Sequence, residues 1–174
     1  MVSIALIVSI NYYLISFLTV TFERPYIQVI FASLAEILAY ATSGLLFKRL
    51  GAKASLALTL LISAVGGLTI CFYGVEHQNS IFFTFLVMMC KFGISGTYNI
   101  QLCTLVLVYP SSFIATGFGI GHFFGVIFQI SSPFLAELKE PIPIAIFTGL
   151  CVLAAFISLF IKPREIKVQA QSES

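Results

Sequence analysis

Two ionisable side chains stand inside otherwise apolar stretches of the sequence: Glu36, within SLAEILAYATSGLLFKRLGAK (33–53), and Lys91, within MMCKFGISG (88–96). A charge near the middle of a bilayer costs about 2.5–3.5 kcal/mol on insertion scales, so such groups face a bundle interior or a wet cavity. At helical spacing Ser33, Glu36 and Tyr40 share one face, as do Lys91, Ser95 and Asn99. His122, Gly125, Gln129 and Ser132 share another, and Asn11, Tyr12, Tyr13 and Ser16 stand together in the first apolar segment. A carboxylate and an ammonium can bind opposite charges or couple to a proton; tyrosines and amides add aromatic faces and hydrogen bonds. An imidazole, with its ordinary pKa of about 6.5, suits a proton relay. The expected cavity set is therefore Glu36, Lys91, Tyr12, Tyr13, Tyr40, Asn99, His122 and Gln129. The structural alternative makes Glu36 and Lys91 a pair, or separate partners of backbone and hydroxyl groups, and makes His122 a packing residue.

Other chemistry is thinly represented. No nucleophile triad, phosphate loop or metal constellation can be read, so no enzyme activity, cofactor or metal is expected. Cys71, Cys90, Cys103 and Cys151 all lie in apolar segments without a CxxC spacing and read as small buried hydrophobes.

The elements that must position these groups follow from composition. The 174 residues are 59% hydrophobic and 9% charged, with mean hydropathy +1.05. Soluble domains carry about 25% charged residues, so this is an all-α, polytopic membrane protein. A net charge of +2 gives no reason to expect nucleic acid. Six segments reach the length of about 20 apolar residues that a crossing needs: 2–21, 26–47, 54–74, 81–105, 115–136 and 142–161. The first is too long, and lacks the basic start and the cleavage site, of a secretory signal. Short connections make neighbouring helices antiparallel. A six-helix domain (1–161) and a polar, disordered tail (162–174) are expected.

Cations set the expected orientation. Lys48, Arg49, Lys53, Lys162, Arg164 and Lys167 fall on one side, against Arg24 and Lys139 on the other, which places the first side and the C-terminus in the cytoplasm. The helices at 54–74 and 142–161, carrying only Ser, Thr and Gly as polar residues, are expected to be outer supports. Gly117, Gly121 and Gly125 recur every four residues, a spacing that lets helix backbones approach closely.

Four stretches carry a family resemblance. Tyr12-Tyr13 stands in the first helix. Ala35-Glu36-Ile37-Leu38-Ala39-Tyr40 resembles V-E-x-P-A-Y. The stretch from Gly44 through Lys48-Arg49 and Gly51 to Lys53 resembles the G-x-L-x-D-R-x-G-R-R loop. Lys91-Phe92-Gly93-Ile94-Ser95, Tyr109-Pro110 and Thr116-Gly117-Phe118-Gly119 follow a GKFGIS…ELYP…NTGLG spacing without a gap. In these motifs, over about residues 11–133, the chain resembles the C-terminal six-helix half of a major facilitator superfamily transporter, nearest to the organic cation and anion carriers. The resemblance implies alternating-access transport of a small organic solute, with the site completed by an N-terminal half or a second copy. Lys48 replaces that loop's aspartate, Leu107 and Ile114 stand at two further latch charges, and Val126 occupies the position where cation carriers have Asp and anion carriers Arg. These departures support a second expectation, a transporter-derived subunit of a larger membrane assembly without transport activity.

Overall fold

The structure, a computed structural model, describes residues 2–21, 25–73, 80–108, 113–139 and 142–160. The tail (162–174), the connections around 22–24, 75–79 and 109–112, and the side chain of Leu107 lie outside the described residues. The described residues form α1 (Val2–Thr21), α2 (Pro25–Tyr73), α3 (Ile81–Val108), α4 (Ile114–Gln129), α5 (Ser131–Ala136) and α6 (Ile142–Phe160). This is the all-α, polytopic membrane bundle that the composition requires.

Helix α2, with 49 residues, would reach roughly 73 Å if straight, more than twice the hydrocarbon thickness of about 30 Å. It is not straight. Gly51 sits at φ 76°, ψ 171°, a region that only glycine enters cheaply, and it divides α2 into two arms. Across the break the Ser55 hydroxyl donates to the carbonyl of Leu46 at 3.0 Å. Nine residues of unbroken helix would separate those positions by about 13 Å. The turn is thus stapled by one side chain, and the expected segments 26–47 and 54–74 are the two arms.

Helix α3 packs between the arms because its small residues let it. A Cβ on Gly93 would stand 2.6 Å from the Thr59 carbonyl oxygen and 2.7 Å from the Ser63 backbone, and one on Gly96 would meet both Thr59 and Ala39. Ser63 donates to the carbonyl of Cys90 at 3.0 Å, and Thr97 to Thr59 at 2.8 Å. Such contacts associate helices where lipid offers no hydrophobic drive.

The core joins Leu14 and Leu18 of α1, Leu60 and Ile70 of the second α2 arm, Phe83 and Ile94 of α3, and Phe147 and Cys151 of α6. This corrects the expectation for 54–74 and 142–161: they are central, and α4 is the least covered long helix. In lipid, a helix with few polar groups is as suited to the middle of a bundle as to its rim. The expected span 115–136 is divided at Ile130 into α4 and α5. Pro133 lacks an N–H and its ring crowds the carbonyl four residues back, at Gln129. Cys103 also corrects the cysteine reading, being exposed on the surface of α3, whereas Cys90 and Cys151 are buried and Cys71 is half-buried.

Candidate functional site

Tyr12 is the centre of a cluster built by α1, the first arm of α2, and α3. Its hydroxyl donates to Glu36 Oε1, as does the Tyr40 hydroxyl at 3.0 Å. Glu36 and Tyr40 are one helical turn apart, so the second contact is local; the first ties α1 to α2. Hydrogen bonds to an ionised acceptor are roughly twice as strong as neutral ones, and two of them stabilise a carboxylate set in an apolar span.

Lys91 approaches from α3, its side chain only 5% exposed. The ammonium lies 3.9 Å from the centre of the Tyr12 ring and donates to Ser16 Oγ at 2.5 Å. Ser16 in turn donates to the Tyr12 carbonyl at 2.7 Å, which fixes it as an acceptor for Lys91. A cation over an aromatic face is worth about 2 kcal/mol or more when desolvated. Glu36 and Lys91 therefore meet on opposite parts of one tyrosine, with no ion pair between them. Tyr98 stacks on Tyr12 with centroids 5.6 Å apart, and Tyr13 meets its edge at 5.3 Å.

The remaining expected residues take different places. Asn99 donates to Ser43 Oγ at 2.6 Å, and Ser43 donates to the Tyr40 carbonyl at 3.0 Å, so Asn99 braces the first α2 arm against α3. His122 stands outside the cluster, stacked on Phe118 with centroids 5.4 Å apart. It lines a cleft between α1, α3 and α4 with Ser9, Tyr98 and Gln101, so Tyr98 is shared with the cluster. Gln129, half-buried at the end of α4, lines neither. Gly125 is close to α1, where a Cβ would stand 3.3 Å from Ser9 Oγ; Gly121 is buried with nothing within 4 Å of such a Cβ; Gly117 is half-buried.

In the loop motif, Gly44, Lys48, Arg49 and Gly51 are exposed and Lys53 is half-buried at the α2 turn. Twelve residues of helix put Lys48 about 18 Å along α2 from Glu36. Two members of the cluster were legible but unread: Tyr98 lies seven residues beyond Lys91 and Ser43 seven beyond Glu36, each on its partner's face. Chemically, the arrangement can bind opposite charges at two points, present aromatic faces between them, and hold or pass a proton at a phenol–carboxylate contact.

No family model matches the chain. It is similar to the synaptic vesicle 2-related proteins of Bos taurus, Pongo abelii and Rattus norvegicus, with 26% identity to each over 156 residues, 87% of this chain and 28% of each relative. The chain thus spans little more than a quarter of the length of the curated relatives it matches.

Proposed function

We propose that the chain works as the C-terminal six-helix half of a major facilitator carrier, moving a small organic solute by alternating access. One observation carries this reading: a carboxylate and an ammonium, both within membrane-crossing helices, converge on a single tyrosine with no ion pair between them. Charges within apolar crossings are costly and mark ligand or proton pathways, and here both stand on one tyrosine with hydrogen-bonding capacity beyond their hydroxyl partners. The similarity to synaptic vesicle 2-related proteins, proteins much longer than this chain, supports the half-carrier reading. So does the order of motifs from Tyr12 to Gly119, which favours the organic ion carriers within the superfamily. The other half comes from further sequence or from a second copy, and the basic α2 turn and C-terminus face the cytoplasm.

The test is reconstitution. The chain, alone and with a candidate N-terminal half, is placed in liposomes, and counterflow from a mixed pool of small organic solutes is followed by mass spectrometry. A saturable, depleting solute is expected. No movement of any solute, together with co-purification in a defined membrane complex, would establish the accessory-subunit reading instead.

A further inference from the structure

We infer that the Glu36–Tyr12–Lys91 cluster selects a small zwitterion, a solute bearing an ammonium and a carboxylate a few bonds apart. The inference rests on the transport reading for its role in the cell, while its binding chemistry stands on the cluster alone.

Capacity for a ligand remains on both charges. Both phenols fall on the same Glu36 oxygen, Oε1, so Oε2 takes no part in either bond. Lys91 has three N–H donors; one goes to Ser16, and the ammonium otherwise faces the Tyr12 ring. Placement argues in the same direction. A purely cationic solute drawn to Glu36 would meet the Lys91 charge across one tyrosine, and a purely anionic solute would meet Glu36 in the same way. Like charges at such range in a low-dielectric setting are strongly unfavourable. A solute carrying both signs satisfies both ends, its ammonium at Glu36 and its carboxylate at Lys91 in place of the Ser16 hydroxyl. Tyr12 sets the span between the two ends.

Binding to the full chain in nanodiscs tests this, using ω-amino acids of two to six carbons, with the matching alkylamines and carboxylates as single-charge controls. One chain length is expected to bind about tenfold or more tightly than either control of equal length, because each control leaves either the half-buried Glu36 or the buried Lys91 without a counter-charge. Glu36→Gln should reduce that ligand to the affinity of the carboxylate control, and Lys91→Gln to that of the amine control. Amine or carboxylate binding as tight as the ω-amino acid in the unaltered protein would overturn the inference, with no variant needed. Zwitterion binding without movement across liposomes would refute transport and leave this site standing. Counterflow of a solute with a single charge, with no zwitterion bound, would do the reverse.

Discussion

The Lys91 ammonium rests 3.9 Å from the centre of the Tyr12 ring, and the hydroxyl of that ring is bonded to Glu36. One side chain thus serves two opposite charges through its face and its edge. Losing the hydroxyl and losing the ring should have separable effects.

Tyr12→Phe keeps the cation–π contact and removes one of the two phenols on Glu36. A net loss of about 1.5–3 kcal/mol in stability is expected, as for hydrogen bonds to charged groups. Tyr12→Leu should lose more, because Lys91 then also loses its aromatic partner. Thermal unfolding in one detergent, read for both variants, checks the order; equal losses would mean that the ring contributes nothing.

Lys91→Met removes a buried charge at nearly constant volume. Replacing buried ionic groups by packed apolar ones is often neutral or stabilising, so the melting temperature should hold or rise while solute movement is lost. A large fall in melting temperature would show that Lys91 is kept for the architecture.

Glycine positions should sort by what a methyl group would meet. Gly93→Ala drives a Cβ into the Thr59 carbonyl and the Ser63 backbone, and overpacking of this kind costs about 1–3 kcal/mol. Gly121→Ala should be nearly silent, since nothing stands within 4 Å of its Cβ. Unfolding midpoints of the two variants would reverse the account if Gly121→Ala proved the more damaging.

The α2 turn gives a further check. Gly51→Ala and Gly51→Asn both place a Cβ at φ 76°, ψ 171°, away from the left-handed helical well that asparagine tolerates, so each should lose about 1–3 kcal/mol. Ser55→Ala removes the staple to Leu46 and should add to the loss only modestly, by about 0.5–1.5 kcal/mol. Stability of the three variants under one set of conditions is the measurement. Asparagine tolerated clearly better than alanine would argue against this glycine-only backbone conformation.

These residues also show what a sequence can disclose here. Crossings and turns were legible, because the length of apolar runs and the glycine at 51 act locally. Helix faces were partly legible: period 3.6 put Glu36 with Tyr40 and Lys91 with Asn99. Neighbours were not. Nothing along the chain says that Tyr12 of α1 reaches Glu36 of α2 while Lys91 turns to Ser16. Nor did polarity reveal that the second α2 arm and α6 are central. Lipid is as apolar as a leucine core, so hydrophobicity cannot separate inward from outward faces, and close packing is set by small residues such as Gly93. The Gly117, Gly121 and Gly125 series drew the eye by its spacing, yet the tightest approaches belong to Gly67 and Gly93, which lie in no such run.

Solute movement by the Glu36→Gln variant tests the central claim most directly. The substitution keeps shape and leaves an oxygen for both phenols, so the protein should elute and melt much as before. The account predicts that counterflow seen with the unaltered chain and its completing half is abolished. Counterflow at the original rate in a correctly assembled Glu36→Gln protein would contradict it.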